Sequence, residues 1–164
     1  MSGFKSAVAL VLAPGPRGRE VLLIHRAEDP RDPWSGHMAL PGGHREDGDR
    51  DLLDTAVRET FEETGVRLRR SDCVEALDDL RPRARSIPKV LIRPHVFLLE
   101  RKPPVRASCE VAGILWAPLA RLEGSRCRVR VPDRKIHVDA FMLGPHIVWG
   151  ITYRILCTFL AKTR

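Results

Sequence analysis

A chain of 164 residues that is 43% hydrophobic can bury a full core, so one domain across residues 1–164 is the expectation. Its formal net charge of +7, with arginine well ahead of lysine, favours anionic partners in general, from nucleotides to nucleic acid or acidic lipid, without choosing among them. Cys73, Cys109, Cys127 and Cys157 are scattered with no C-x-x-C, which argues against a disulfide framework or a zinc site and for reduced thiols in a cytoplasmic setting. The start lacks the ordered basic, apolar and cleavage regions of a secretory signal. The most apolar late stretch, 147–161, contains Tyr153 and Arg154 and is too short and polar to span a membrane.

In chain order, residues 6–13 are rich in Val, Leu and Ala and read as a buried strand. Turn chemistry at 14–18 leads to a second strand over 20–26, and the two form a hairpin or share one sheet. A polar loop over 27–36 carries Trp34, and a short strand at 38–40 delivers Pro41-Gly42-Gly43. Residues 51–64 show a helical period at Leu53, Ala56, Val57, Thr60, Phe61 and Thr64. Asp49 or Asp51 can cap its start, and Gly65 suits its left-handed end. Residues 68–80 read as a strand with a polar edge. Residues 81–86 form a basic loop, and 89–100 a central strand with a bend or an edge at Pro94. Another strand covers 110–116, then a helical turn at 118–122. A hairpin pairs 128–131 with 136–141 around Pro132-Asp133. The helix predicted over 146–162 buries Ile147, Ile151, Ile155, Leu156 and Phe159. Strands around two helices give an α/β chain, a mixed sheet with helices on both sides.

The stretch from Gly42 to Val66 carries the chemistry. Glu59, Glu62 and Glu63 stand at i, i+3 and i+4 and share one face of the helix. Two carboxylates about 6 Å apart repel by roughly 3 kcal/mol at an effective dielectric near 20. Between Glu59 and Val66 no Lys or Arg relieves this, and Arg58 is one candidate partner. Hard divalent cations such as Mg²⁺ or Mn²⁺ prefer oxygen ligands and would relieve it. A solvated acidic face is the plainer reading of three Glu taken alone.

The flanking residues shift the balance toward the cation. The stretch resembles the Nudix box, G-x5-E-x7-R-E-U-x-E-E-x-G-U, where U is aliphatic. Arg58, Glu59, Glu62, Glu63, Gly65 and Val66 match it. Asp49 stands in place of the first Glu, one extra residue separates it from Arg58, and Thr60 takes an aliphatic position. The first two departures are similar to the coenzyme A pyrophosphatase branch. So are Leu22, Leu23, Arg26, Gly36, Pro41, Gly42 and Gly43 upstream, the stretch Arg93 to Val96, and the late Val148-Trp149-Gly150-Ile151-Thr152. Trp34 and Leu40 replace a His and a Phe of that branch.

This resemblance implies an α/β/α Nudix sandwich and hydrolysis of a diphosphate linkage with Mg²⁺ or Mn²⁺. The best substrate candidate is coenzyme A or its thioesters, cleaved to 4′-phosphopantetheine and 3′,5′-ADP. ADP-ribose, dinucleotides and oxidised nucleotides are the alternatives. Glu62 and Glu63 are the expected principal metal ligands, Glu59 a ligand or a water-orienting base, and Gly42 or Gly43 the source of a backbone carbonyl ligand. Arg58 pairs with a carboxylate or meets phosphate. Arg26, Arg45, Gly42 and Trp34 are candidate substrate contacts, with Trp34 stacking on adenine or packing in the core. Glu110 resembles a late acidic Nudix residue. Arg81, Arg83 and Arg85 could grip a phosphate or nucleic acid, or form a solvated basic loop. His25, His37, His44, His95, His137 and His146 show no ligand spacing and read as core or surface residues. A small nucleotide-type substrate is the expected partner, ahead of nucleic acid and with no membrane role. A non-catalytic RNA or nucleotide binder is the rival from another class. Homodimers are common in the family, although no stretch here marks an interface.

Overall fold

The computed structural model describes residues 4–31, 36–83, 89–131 and 134–163. Ten strands and two α-helices follow in order: β1 Phe4–Gly15, β2 Gly18–Arg26, β3 Met38–Ala39, β4 Gly42–His44, α1 Leu52–Thr64, β5 Cys73–Ala76, β6 Val90–Leu98, β7 Val111–Pro118, β8 Gly124–Val131, β9 Arg134–Leu143, β10 His146–Trp149 and α2 Gly150–Lys162. Among the described residues β1 to β7 form one mixed sheet, in the order β3-β2-β1-β6-β5 with β4 on β1 and β7 on β2. The strands β10-β9-β8 form a second, antiparallel sheet.

β1 organises the larger sheet. One of its edges is paired in parallel with β6 from Phe4↔Val90 to Leu12↔Leu98. Its other edge is shared. Ser6, Ala7 and Val8 pair with the glycine strand β4, and Leu12 onward pairs with β2 as the expected hairpin. Between them Ala9 N–H donates to the Pro41 carbonyl at 2.8 Å. The glycine strand is thus held where the partner of β1 changes.

Alternation along β1 feeds two cores. Leu10 and Leu12 face Val96, Ile155, Leu156 and Phe159 on the α2 side. Ala7, Ala9 and Val11 face Leu52, Ala56, Val66 and Phe97 on the α1 side. The two helices therefore cover opposite faces, as the expected α/β/α sandwich requires.

Helix α1 starts as the sequence predicts, with the Asp51 carboxylate accepting from Asp54 N–H at 2.9 Å. It ends at Gly65, whose φ of 72° no side chain favours and whose N–H returns to the Phe61 carbonyl. Its buried face differs from the predicted one. Phe61 is 41% exposed, with the Arg67 guanidinium 4.4 Å from its ring centre, while Glu63 is 5% exposed. The helix is rotated so that an acid, not an aromatic, enters the protein.

Three other expectations are corrected. The predicted strand over 68–80 shrinks to Cys73–Ala76. Ahead of it Asp72 accepts from the Arg69 backbone and side chain, which winds 70–72 into a 3₁₀ turn. The C-terminal helix begins at Gly150, not at 146, because Gly150 has φ +65° and Ile147 and Val148 pair with Met142 and Phe141 of β9. Pro94 interrupts neither β6 nor its ladder with β1. Its carbonyl accepts from Leu77 N–H, so its missing donor faces the ragged β5 side and the parallel β1 ladder is untouched. Strands β8 and β9 pair as expected, and their tip at Pro132-Asp133 lies outside the described residues.

Candidate active site

The acidic helix face and the glycine strand meet across one cleft of about 1220 Å³. Glu59 and Glu63 line it together with Gly42, Gly43, Arg26 and Glu110. Glu63 is anchored by the Gly42 N–H, which donates to its Oε1 at 2.8 Å. That bond depends on how β4 is held. A Cβ on Gly42 would stand 2.3 Å from the Ala7 carbonyl oxygen, so only glycine lets the strand lie this close to β1. A Cβ on Gly43 would stand 2.5 Å from the Glu59 carboxylate. The glycine pair is therefore a cradle sized for the two acids.

Burial pushes Glu63 up to about 7, the negative charges of Glu59 and Glu110 add to this, and the Gly42 N–H and the Arg26 charge oppose it. Burial also raises Glu59, against the hydrogen bond and charge of Arg58. Both groups are thus destabilised as anions by the fold itself.

Arg58 is spent on organisation. Its Nε and Nη2 grip both oxygens of Asp49 at 2.9 and 2.8 Å. Nη2 also donates to the His44 carbonyl, and Nη1 to Glu59 at 3.0 Å and to Glu62 at 3.3 Å. Each guanidinium nitrogen is engaged, which is the carboxylate-partner role of the two expected from sequence. Asp49, 5% exposed, also accepts from Glu46 N–H and the Thr55 hydroxyl. Chiefly the Arg58 hydrogen bonds hold it far below the ordinary carboxylate range. Asp49 is thus a buried clamp for Arg58.

The other predicted residues divide. Arg26 and Arg45 line the cleft, and Arg45 Nη2 donates to the Asp49 carbonyl at 2.8 Å. Glu62 is half exposed and directed at Arg58. The Arg81 carbonyl accepts from Arg154 Nη1, which ties the basic loop to α2, while Arg85 and Trp34 lie outside the described residues. Among the described residues Trp149 lines the cleft, 5.1 Å from the His37 ring. The W-G-x-T resemblance was the signal that could have singled it out.

The donor set suits a hard cation. Glu59 and Glu63 supply only oxygens, face one cleft, and lose stability as bare anions. Among the described residues no three of His, Cys, Asp and Glu are grouped closely enough to form a finished cation cage. The fit therefore rests on Glu59, Glu63 and the glycine cradle. Among the described residues no helix is long and apolar enough to cross a membrane.

The NUDIX domain family profile matches residues 3–138. An uncharacterized protein of Schizosaccharomyces pombe is 41% identical over 116 residues, 68% of this chain and 35% of that one. The human mitochondrial coenzyme A diphosphatase NUDT8 is 30% identical over 154 residues, 90% of this chain and 64% of that one. Nudix hydrolase 22, chloroplastic, of Arabidopsis thaliana is 30% identical over 164 residues, 93% and 53% of the two chains. The chain thus spans between about a third and two thirds of the length of these relatives. The crystal structure of a MutT/nudix family protein from Enterococcus faecalis superposes with a TM-score of 0.72 at 20% identity, covering 99% of this chain and 62% of that one. An Ap4A hydrolase binary complex of C. elegans superposes with a TM-score of 0.57 at 22% identity, over 71% and 81%. The sandwich seen in those structures and a profile match over most of the chain agree with the Glu59–Glu63 face and its glycine cradle: the chain belongs to the NUDIX domain family.

Proposed function

We propose that this protein is a divalent-metal-dependent pyrophosphohydrolase that cleaves the diphosphate of a nucleoside-diphosphate-linked substrate, with coenzyme A or its thioesters as the substrate. The observation that carries the reaction class is the pair Glu59 and Glu63 at the wall of the cleft, Glu63 buried and Glu59 half-buried against Gly42 and Gly43. The coenzyme A assignment is supported by the relationship to the coenzyme A diphosphatases NUDT8 of human, at 30% identity, and mouse, at 27%.

Glu59 and Glu63 would hold Mg²⁺ or Mn²⁺, with the Gly43 carbonyl as a backbone ligand and Glu62 joining in exchange for its contact with Arg58. A bound cation of this kind neutralises phosphate charge and lowers the pKa of a coordinated water. The chain's own residues do the rest. Arg58, clamped by Asp49, sets the position of Glu59. Gly42 N–H fixes Glu63. Arg26 brings positive charge to the same wall, where an anionic diphosphate would lie. Glu110 adds an acid on the same cleft whose charge reaches both Glu59 and Glu63, and it would serve as a further ligand or base. In the family's manner Glu59 acts as ligand or base.

A substrate panel tests this. Coenzyme A, an acyl-coenzyme A, ADP-ribose, a diadenosine polyphosphate and an oxidised nucleotide are each incubated with Mg²⁺ and with Mn²⁺. Products are resolved by chromatography. Release of 3′,5′-ADP from coenzyme A at a kcat/KM above that for the other substrates is expected. Turnover of ADP-ribose alone would overturn the substrate, and no turnover of any would overturn the reaction.

A further inference from the structure

Beside the main cleft lies a second crevice of about 260 Å³. His37, Met38 and Trp149 line both, so the two share a wall. Met38 is four residues from Gly42, a separation of at most about 14 Å, which is within the reach of a nucleotide-sized molecule.

The crevice is built from three regions of the chain. Arg128 and Arg130 come from β8, His146 from β10 and His25 from β2. The His25 and His146 rings meet edge to face at 5.7 Å, and His25 Nε2 is 3.1 Å from the Gly36 carbonyl oxygen. Among the described residues no Asp or Glu lines it. Neither Arg128 nor Arg130 has an ion-pair partner among the described residues, whereas Arg126, two residues earlier on β8, stands 3.9 Å from Asp139. Arginines on an edge strand protect it from pairing with other chains. That role does not require imidazoles from two further strands to converge on the same space. Two exposed arginines and two imidazoles border this space with no described acid among them, a combination that suits a compact anion, and guanidinium geometry suits phosphate.

We infer that this crevice binds a phosphate monoester of the substrate, separate from the diphosphate at Glu59 and Glu63, and so selects nucleotides phosphorylated on the ribose. The inference rests on the proposed reading of the cleft. It adds a specificity determinant, Arg128 and Arg130, that no motif of the sequence marks.

Direct binding tests it independently of turnover. The full chain is titrated calorimetrically with 3′,5′-ADP, 2′,5′-ADP and 5′-AMP. The first two differ in which ribose hydroxyl carries the extra phosphate, and the third lacks it. One of the two bisphosphates is expected to bind at least about tenfold more tightly than 5′-AMP. R128Q/R130Q and, separately, H146Q should abolish that preference and leave 5′-AMP affinity unchanged. R126Q, on the same strand but outside the crevice, should preserve it. Equal binding of all three nucleotides by the wild type would overturn the inference, as would a preference that survives both R128Q/R130Q and H146Q. Far-ultraviolet circular dichroism checks that each variant is folded. Hydrolysis separates the two claims. Absent turnover with the phosphate preference intact sinks the reaction and keeps the crevice. Turnover that ignores the ribose phosphate does the reverse.

Discussion

Replacing Glu63 by Gln should make the metal-free protein more stable while it removes activity. The folded environment raises this carboxyl from its ordinary 4.5 to about 7. Each unit is worth 1.36 kcal/mol, so the ionised form costs the fold about 3 kcal/mol. The raised value belongs to the folded state, so protonation favours folding. That stabilisation is complete below pH 4.5 and is lost as pH rises through 7. Gln has nearly the same volume, and its amide oxygen can still accept from Gly42 N–H, the hydrogen bond that holds the Glu63 side chain. The assay is urea unfolding in EDTA at several pH values from 5 to 8.5. The wild type should weaken over that range. Glu63→Gln should be flatter and about 1–3 kcal/mol more stable at pH 8. Buried His95, whose pKa burial lowers, titrates in both proteins and cancels in the difference. Adding Mg²⁺ or Mn²⁺ should raise the unfolding temperature of the wild type but not of the variant. A variant less stable than wild type at pH 8, with an unchanged pH slope, would refute the argument that this acid is held against its own solvation.

Four more outcomes are expected. Asp49→Ala strips the buried partner from Arg58 and should cost about 3–5 kcal/mol in chemical denaturation, with activity lost in the surviving folded fraction. Asp49 and Asp54 have folded-state pKa values below their ordinary 3.8, Asp54 at about 2, so their contribution is present above that value and drains away as pH falls below it. An acid-unfolding midpoint above pH 5 in wild type would contradict this. Gly43→Ala puts a Cβ 2.5 Å from the Glu59 carboxylate, which is a movable side-chain end, so turnover should fall about tenfold or more while the unfolding temperature changes little. Gly42→Ala instead meets the Ala7 carbonyl at 2.3 Å, which is fixed backbone, and should lower stability by about 1–3 kcal/mol. Equal thermal effects from the two glycine variants would count against the cradle.

Local signals in the sequence were read where the physics is local. The caps Asp51 and Gly65, the β1–β2 hairpin and the acidic spacing of α1 depend on near neighbours, and each stands where periodicity and turn chemistry put it. Misreadings arose where a distant partner decides. Residues 146–149 are apolar enough for a helix, yet β9 offers them a ladder and Gly150 ends it. Phe61 has the period of a core residue, but rotation of α1 against the alanines of β1 turns it outward and Glu63 inward. Histidines without ligand spacing looked unconnected, and strands β2 and β10 bring two of them within one crevice.

By itself the chain determined that three carboxylates share a helical face, because 3.6 residues per turn leaves no alternative once 52–64 is helical. It also determined that glycines precede them and that Arg58 stands beside them. Only the folded structure decided which acid is buried, which ones Arg58 holds, and what Asp49 is for. Those answers depend on the distance between β4, β1 and α1, and desolvation and hydrogen-bond geometry are set by such distances rather than by spacing along the chain.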